Sequence, residues 1–414
     1  MSADTFTLIF LTALVLSVSL QLWLKWRHRR HVLAHRERVP AEFAAVITPD
    51  DHRKAADYTV SQINLACIAV VWEALWVLAL TYGGLIAWFD SLARQWVGGG
   101  IAGGVLMIAL LSVAMALVNL PFTLWATFVI EERFGFNKTT PGLFVVDMLK
   151  HAVIQALLLL PLTALVLWFL GHAGSLWWLY AWAAWVVVGL VTMAIYPTVI
   201  LPWFNRFTPL EDQALKRRVE ALAERGGFKA SGVFVMDGSR RSSHGNAFFV
   251  GFGRTKRIVF YDTLIDKLNH DQIEAVLAHE VGHFVHRHLI KRLVVLFGIG
   301  LLFMGLLGWL KGQSWFFEGL GISTPSDAAA LVLFFTAIPV FIFPFGWIAS
   351  YGSRRHEYEA DRYAVAQTGR EPLIEGLVQM YRDNAVTLTP DPLHSLFYDS
   401  HPPAFLRIAA MKRA

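Results

Sequence analysis

Seven apolar stretches constrain the fold of this chain more than any other feature, because each approaches or exceeds the length of a bilayer-spanning helix. The 414 residues are 56% hydrophobic and their mean hydropathy is +0.49. These values are typical of a protein that lies largely in lipid. We therefore predict an integral membrane protein that is mainly α-helical. The predicted spans are residues 5–24, 62–89, 101–130, 152–171, 176–203, 293–310 and 328–350.

Basic residues are concentrated directly after the first span, and they predict the orientation of the chain. Cytoplasmic loops carry an excess of lysine and arginine, so this loop is predicted to be cytoplasmic and the N-terminus to lie outside. Counting spans then places residues 131–151, residues 204–292 and the tail from residue 351 in the cytoplasm, as in a multi-pass protein of a bacterial inner membrane or the endoplasmic reticulum. A basic run can also bind nucleic acid, but its position beside a span favours orientation and anionic lipid instead. The cluster comprises Lys25, Arg27, Arg29, Arg30, Arg36, Arg38, Arg53 and Lys54.

The string HEVGH is the one place where residue type and spacing demand a particular chemistry. It lies in a predicted helix, because Asn269 and Gln272 form a helix start signal and the apolar residues that follow have helical spacing. Its two histidines, His279 and His283, share one helical face and can reach a single metal ion, with Glu280 beside the open coordination position. The motif therefore predicts a hydrolase with one zinc ion.

A third zinc ligand is predicted on the helix that continues the seventh span, in the polar sequence 353–361. We predict that the motif helix and the sixth span form one uninterrupted rod, which puts His283 roughly 27 Å from the middle of that span. Glu357 lies at the same depth along the returning helix, so it is well placed as a ligand. Asp361, one turn further, is placed to hydrogen-bond the outer nitrogen of a ligand histidine. His286 is a rival ligand, and the acidic residues are also compatible with a merely solvated helix face.

Three protein ligands leave a fourth position on zinc for water, which is the arrangement of a catalytic site. A catalytic zinc lowers the pKa of water to about 7, and Glu280 would take the proton as the water attacks a carbonyl. The same carboxyl group would then deliver the proton to the departing amine. The only cysteine, Cys67, lies in the second span, which excludes disulfides, a cysteine-rich zinc site and a thiol nucleophile in the polar part. The predicted reaction is peptide hydrolysis.

The polar block before HEVGH contains a predicted β-hairpin. A helix at about 209–226 is followed by a strand-like alternation at residues 231–236. Residues 246–251 and 257–261 are predicted to be two strands joined by a turn that contains Gly253. Such a hairpin can offer an exposed edge to an extended peptide. A packed sheet without a ligand is an equally compatible interpretation.

The string EERFGFNKTT, residues 131–140, forms a predicted structured turn between the third and fourth spans. Its chemistry is not evident from the residues. Spacing alone is compatible with a helix end that carries charged residues at the membrane interface.

Taken together, these motifs resemble those of the integral-membrane CAAX prenyl protease type 1 metallopeptidases, and they follow one another along most of the chain. The shorter heat-shock membrane metallopeptidases share HExxH and the later acidic ligand but have fewer spans, so seven spans favour the first family. The resemblance implies seven transmembrane helices that form a chambered barrel, with a cytoplasmic α+β zinc metallopeptidase domain. The matching strings are FVIEERFGFNKTT (128–140), YPTVILPWFNRFTPLED (196–212), NAFFVGFGRTKRIVFYDTL (246–264), HEVGH, SRRHEYEAD (353–361) and SHPP (400–403).

The resemblance also implies roles for individual residues. It assigns zinc to the two motif histidines and Glu357, as the spacing suggests, and catalysis to Glu280. His401 and Arg407 match a C-terminal motif whose residues contact the substrate carbonyl where an oxyanion develops. The edge segment that aligns the peptide in this family corresponds to Asn246, Ala247 and Phe248.

Three residues depart from the family pattern. Gly245 stands where the family usually has serine, His356 where an apolar aromatic residue is common, and Leu406 where a glutamate normally precedes the arginine. The zinc assignment does not depend on these positions. The loss of an acidic neighbour does change what holds the guanidinium of Arg407.

The sequence thus predicts a multi-spanning zinc endopeptidase that cuts near the carboxyl end of a membrane-associated peptide, prenylated or not, and that binds no nucleic acid. One alternative is general proteolysis of membrane proteins, and another is a non-catalytic scaffold or channel. A scaffold has no use for the complete set of zinc and catalytic residues. The predicted parts are spans one to five (1–203), a metallopeptidase part (204–292), spans six and seven (293–350) and a C-terminal part that completes the zinc site (351–414).

Overall fold

The computed structural model of the protein describes residues 1–228, 231–251 and 257–413, which are mainly α-helical. The helices of the membrane half are α1 (Ala3–Ala34), α2 (Pro49–Leu80), α3 (Leu85–Val97), α4 (Gly100–Trp125), α5 (Pro141–His172), α6 (Trp177–Ile195) and α7 (Leu201–Phe204). The following helices are α8 (Gln213–Arg225), α9 (Asp262–Ile265), α10 (His270–Val285), α11 (His288–Leu310), α12 (Ser314–Glu318), α13 (Asp327–Ile342), α14 (Gly346–Thr368), α15 (Arg370–Asp383), α16 (Pro392–Tyr398) and α17 (Ala404–Met411). The strands are β1 (Phe207–Pro209), β2 (Val233–Met236), β3 (Ala247–Val250) and β4 (Arg257–Tyr261).

Within the described residues, seven helical segments are long and apolar enough to cross a membrane, which confirms the predicted number of spans. Most are longer than predicted, because the helices continue past the apolar residues into polar sequence. Two of them continue through π-helical turns, a feature that is frequent at functional sites. The segments are Ala3–Ala34, Pro49–Leu80, Gly100–Glu131, Pro141–His172, Gly174–Phe204, His288–Leu310 and Asp327–Thr368.

The predicted end of the second span is wrong. The helix stops at Leu80, and the chain turns through Gly83 and Gly84, where Gly84 has φ 74, a left-handed conformation that favours glycine. The apolar residues after this turn belong to α3. This helix buries Ile86 and Phe89 in the core between the membrane helices.

The membrane helices line a cavity of about 880 Å³, in keeping with a chambered barrel. Its wall is mostly apolar, with Gln21, Glu73, Asn119 and Gln155 among the polar exceptions. Two helical segments next to the predicted zinc ligands also line this cavity. One is α11, which follows the HEVGH helix, through Met304, and the other is the segment that continues into α14, through Pro339, Val340 and Phe343.

A four-stranded sheet of order β1-β2-β4-β3 lies in the polar part of the chain. β1 and β2 are antiparallel, β2 and β4 are parallel, and β3 and β4 form the predicted antiparallel hairpin. The turn around Gly253 lies outside the described residues. The strand β1 was not predicted: the expected helix from residue 209 begins only at Gln213, where the side chain of Asp212 caps its first turn.

Helices α8, α10, α15 and α17 pack with the sheet around a second hydrophobic core, separate from the membrane core. Each contributes buried side chains to it, for example Leu222, Leu277, Leu377 and Ile408. Full burial of such a side chain contributes about 1.5–3 kcal/mol. This core fixes the position of α10, which carries HEVGH.

The prediction that the motif helix and the sixth span form one rod is wrong. Helix α10 ends at Val285, Arg287 adopts a left-handed conformation with φ 55, and α11 begins at His288. Left-handed backbone is unfavourable for a residue with a Cβ atom, so surrounding contacts must stabilise it. The bend lets the buried His288 ring turn back so that its Nδ1 lies 2.9 Å from Nδ1 of His283.

Candidate metal centre

The HEVGH helix begins with a complete capping box. The Asn269 side chain accepts a hydrogen bond from the backbone of Gln272 at 2.9 Å, and the Gln272 side chain accepts one from the backbone of Asn269 at 3.1 Å. These bonds satisfy two N–H groups that have no partner inside the helix. One face of the helix, with Ile273, Leu277 and Val281, is buried in the core. The opposite side is left to the polar residues of the motif.

The glycine of HEVGH allows α10 and α14 to approach closely. A Cβ atom on Gly282 would lie 2.9 Å from the Cα of Ala360, a separation that real side chains essentially never show. Any larger residue would therefore push the two helices apart. The close approach brings Glu357 of α14 opposite the two histidines.

The three predicted ligands meet in one cluster. Nε2 of His279 lies 3.2 Å from Nε2 of His283 and 3.3 Å from Oε2 of Glu357. Nε2 of His283 lies 3.4 Å from Oε1 of Glu357. A tetrahedral ion with bonds of about 2.0–2.1 Å separates its ligand atoms by about 3.3 Å. The two histidine nitrogens are thus spaced like two ligands of a tetrahedral zinc ion, and each lies within 3.4 Å of one oxygen of the Glu357 carboxylate.

The chemistry of the cluster also fits a cation. Oε2 of Glu357 is buried and has no hydrogen-bond partner among the described residues, which is costly for a carboxylate oxygen unless a positive charge satisfies it. Two imidazole nitrogens and one carboxylate oxygen form a donor set of catalytic zinc sites. Over residues 1–228, 231–251 and 257–413, these ligands are the one group of three such residues close enough to hold a metal ion. The rival ligand His286 lies outside the group, and its ring stacks on that of His288.

A carboxylate behind His279 fixes the orientation of its ring. Nδ1 of His279 lies 2.8 Å from Oδ1 of Asp361, the contact that the sequence suggested for this residue. Asp361 in turn accepts hydrogen bonds from Arg407, at 2.8 Å from Nε and 2.6 Å from Nη2. Burial lowers the pKa of His279, but the nearby carboxylates of Asp361 and Glu357 outweigh this effect and raise the pKa to about 9. A metal ion binds only the neutral ring, so it competes with this proton.

A second contact chain, which the sequence analysis missed, stands behind His283. Nδ1 of His283 faces Nδ1 of His288 at 2.9 Å, and Nε2 of His288 faces Oε2 of Glu359 at 2.9 Å. With the His288 proton on Nε2, His288 donates to Glu359 and accepts from His283, which leaves Nε2 of His283 free for a metal. The contact depends on the bend at Arg287. The sequence signal for this contact was His288 itself, five residues after His283.

Glu280 and His401 face the same cluster. Partial burial raises the pKa of Glu280 above that of an ordinary carboxyl group, although both motif histidines act in the opposite direction. A raised pKa suits a group that must both take up and release a proton. Nε2 of His401 lies 3.5 Å from Oε2 of Glu357, its Nδ1 lies 2.9 Å from Oγ of Ser400, and 59% of its side chain is exposed.

The EERFGFN turn, residues 131–137, contacts the segment that leads into β3. Asn137 forms a β-bridge with Ser242, and the ring of Phe136 stacks on that of His244 at 4.4 Å between centroids. Glu131 contacts Nε2 of His244 at 3.3 Å. The turn is therefore more than a charged helix end, because it supports the start of the edge strand.

Comparison with known proteins gives consistent matches over both halves of the chain. Residues 28–206 match the model of the CAAX prenyl protease N-terminal domain with five membrane helices, and residues 209–414 match that of peptidase family M48. The CAAX prenyl protease 1 homolog of Arabidopsis thaliana is 32% identical over 386 residues, covering 90% of each chain. The homolog of Homo sapiens is 30% identical and covers 98% of this chain and 95% of its own length.

The chain belongs to the CAAX prenyl protease type 1 family. The crystal structure of S. mikatae Ste24p matches with a TM-score of 0.90 and 29% identity, over 98% of both chains. These matches confirm the predicted fold and enzyme class, a metalloprotease embedded in a membrane by several spans.

The three departures from the pattern of CAAX prenyl proteases have local partners in the structure. A Cβ atom on Gly245 would lie 3.3 Å from Leu264, so this position is tight for a serine. The ring of His356 stacks on that of His288, with centroids 4.0 Å apart. Arg407, without an acidic residue before it, is held by Asp361.

Proposed function

We propose that the protein is a zinc endopeptidase that cleaves membrane-associated peptides, prenylated or not, near their carboxyl end. The observation that carries this proposal is the ligand cluster of His279, His283 and Glu357, whose distances and donor atoms suit zinc. Glu357 lies on the helical segment Asp327–Thr368, which also lines a mostly apolar cavity, and the histidine helix α10 is followed by α11, which lines the same cavity through Met304. Such a cavity suits a hydrophobic substrate, including one with an isoprenoid chain.

In the proposed mechanism, His279, His283 and Glu357 hold one zinc ion. When bound, zinc supplies Lewis-acid chemistry, because it polarises a carbonyl oxygen and lowers the pKa of water to about 7. Glu280 removes the proton of the attacking water and later gives it to the leaving amine nitrogen. Its raised pKa supports this double use.

His401 and Arg407 are proposed to stabilise the negative charge that develops on the substrate carbonyl oxygen. The exposed side chain of His401, 3.5 Å from Glu357, supports a direct hydrogen bond to the substrate. Arg407 is buried, and its Nη1 lies 4.0 Å from Glu357 while the other two nitrogens bond Asp361. These contacts support a contribution from behind the ligands, through its positive charge and through Asp361.

The substrate is proposed to pair with the open edge of β3, at Asn246, Ala247 and Phe248. β3 is an edge strand of the described sheet, so its outer side is free to receive an extended peptide. The N–H group of Ala247 contacts the neighbouring Asn246 side chain at 2.8 Å, a bond that a peptide carbonyl can replace. Main-chain pairing of this kind would tolerate varied side chains near the cut.

The catalytic part and the C-terminus are proposed to lie in the cytoplasm, with the N-terminus on the other side. The basic residues after the first span carry this orientation. Arg27, one of these residues, bonds Asp391 at 3.0 Å, so the basic end of α1 and the C-terminal part share one side of the membrane. We propose the same four parts of the chain that the sequence suggested, with boundaries after residues 203, 292 and 350.

The mechanism is tested with Glu280→Gln. The amide keeps the shape of the side chain but cannot act as a base, so kcat should fall by about 100- to 10,000-fold. Zinc content should stay close to one ion per chain, because the three ligands are unchanged. The measurements are peptide turnover and metal analysis of the purified protein. Turnover equal to that of the wild type would exclude Glu280 as the base.

Substrate pairing is tested with Ala247→Pro. Proline removes the N–H donor at this position, so hydrolysis should fall at least about tenfold while zinc content stays normal. Ala247→Ser is the matched control, because it keeps the donor and should retain most activity. An active, zinc-loaded proline variant would show that substrates do not pair along this strand.

The substrate class is tested with one peptide in prenylated and unprenylated form. Faster turnover of the prenylated form supports prenyl recognition. Equal turnover would favour general proteolysis of membrane-associated peptides by the same zinc site.

A further inference from the structure

The hydrogen bonds of the edge strand β3 alternate along the chain. Tyr261 N donates to Asn246 O at 2.9 Å, so Asn246 faces β4. Because the two sides of a strand are used by alternate residues, Ala247 and Phe249 direct their N–H and C=O groups away from β4. These two residues therefore present the groups that can bond an added peptide strand.

At the preceding outward-facing residue, Gly245, the edge is already occupied. The Gly245 N–H donates to Oδ1 of Asn384 at 3.0 Å, and the Gly245 C=O accepts from Nδ2 of Asn384 at 3.3 Å. A carboxamide carries one acceptor and donors in a plane, so it reproduces the pair of bonds that a residue of a neighbouring strand would make. The Asn384 side chain thus takes the position of the next residue of a bound peptide.

Asn384 is supported by residues of the EERFGFN turn. His244 bridges the two, with Nδ1 at 3.3 Å from Oδ1 of Asn384 and Nε2 at 3.3 Å from Oε2 of Glu131. Glu131 also accepts a hydrogen bond from Tyr58. The residue after Asn384, Ala385, is buried in a left-handed conformation with φ 46, which fixes the direction of the chain at this point.

The backbone of the same turn closes the edge further upstream. Ser243 N donates to Phe136 O at 3.1 Å, and Lys138 N donates to Arg241 O at 3.0 Å. The edge is therefore blocked at residues 241, 243 and 245 and becomes open at residue 247.

We infer that Asn384 ends the peptide-binding edge of β3 and limits how far the carboxyl side of the substrate extends past the cut. The inference rests on the proposed function, in which the peptide pairs with β3. An antiparallel peptide, which continues the β3–β4 pairing, runs with its carboxyl end toward Gly245 and meets the Asn384 side chain. Asn384 is thus a specificity-determining residue that favours peptides cut near their carboxyl terminus.

The test uses the full-length protein in lipid vesicles and two peptide series that share one cleavage sequence. One series is extended residue by residue at the carboxyl end, the other at the amino end, and kcat/KM is measured for each peptide by mass spectrometry. The wild type should lose activity abruptly beyond a fixed carboxyl-side length but tolerate amino-side extension. Asn384→Ala should cleave the first peptide past that limit about tenfold better, relative to the short peptide, which is the size expected from two regained main-chain hydrogen bonds.

Asp383→Ala is the matched control. Asp383 is the last residue of α15 and directly precedes Asn384, but its side chain contacts Gln379 at 2.9 Å instead of the edge strand. The Asp383→Ala variant should therefore show the same dependence on peptide length as the wild type. Asn384→Asp, which keeps the acceptor and loses the donor, is a second variant with an expected partial shift of the limit.

A wild-type enzyme without a carboxyl-side limit would overturn the inference even if no variant folds. An Asn384→Ala profile identical to the wild type would overturn it as well. In both cases cleavage of the short peptide shows that the proposed peptidase function stands. If the wild type cleaves no peptide of either series, the proposed function itself fails.

Discussion

The two histidines of HEVGH enter the same ligand cluster, but the structure holds them in different ways. The side chain of His279 is 9% exposed and contacts a carboxylate directly, through Asp361. The side chain of His283 is 21% exposed, and its Nδ1 faces a second histidine, His288, which in turn contacts the carboxylate of Glu359. One side of the centre is therefore a buried charged network, and the other is a chain that ends near solvent.

Because of this difference, the carboxylate on the His279 side serves both the fold and the metal site, whereas the carboxylate on the His283 side serves mainly the metal site. On the His279 side, Asp361 orients the ligand and also neutralises the buried guanidinium of Arg407, so its contacts belong to the fold as well as to the site. On the His283 side, Glu359 is 24% exposed, and its loss leaves no buried charge unpaired. We expect changes on the first side to affect stability and metal binding together, and changes on the second side to affect mainly metal binding.

The largest expected effect is that of Glu357→Ala, which removes a ligand shared by both sides. Zinc content after dialysis should fall to near zero, whereas Glu359→Ala should keep most of its zinc, because Glu359 acts only through His288. The measurement is metal analysis of the two purified variants beside the wild type. Equal losses, or a larger loss in Glu359→Ala, would mean that the third ligand is assigned to the wrong carboxylate.

Asp361→Ala is expected to have a smaller effect on zinc binding than Glu357→Ala, but it should also lower the stability of the protein. The change leaves the buried Arg407 guanidinium without its two hydrogen bonds, and breaking a buried ion pair in this way costs about 3–5 kcal/mol. Thermal unfolding in detergent should show a clearly lower midpoint, accompanied by weaker zinc binding. Glu359→Ala is the matched control on the other side, with an expected midpoint close to that of the wild type. Similar midpoints for both variants would contradict the distinction between the two sides.

The His279 side was more accessible to sequence reasoning than the His283 side. His279, Glu357 and Asp361 follow from helical spacing on two helices, and the hydropathy of the chain predicted the seven spans. Arg407 is 46 residues from Asp361 in sequence, so only the family resemblance pointed to it. Contacts of this kind depend on how distant helices pack, which periodicity does not encode.

The bend at Arg287 shows a different limit of sequence reasoning. Neither glycine nor proline marks the end of α10, so the helical pattern continues across the break and predicts a rod. The bend exists because tertiary contacts, including that of His288 with Glu359, outweigh the backbone preference of one arginine. Without the bend His288 would continue along the helix, so helical spacing did not indicate its role behind His283.

The smallest expected effect tests this role with His288→Phe. Phenylalanine keeps a flat ring against His356 but removes the acceptor for His283 and the donor for Glu359. Loss of such an orienting contact typically weakens metal binding by about 10- to 100-fold, and stability should change little because no charge is left buried. Zinc affinity, measured by competition with a chelator, should fall, and excess zinc should restore turnover. His286→Phe is the matched control, since His286 stacks on the same ring but contacts no ligand. Equal zinc affinity of both variants would show that His283 needs no support from His288, and the two sides of the centre would then differ only in burial.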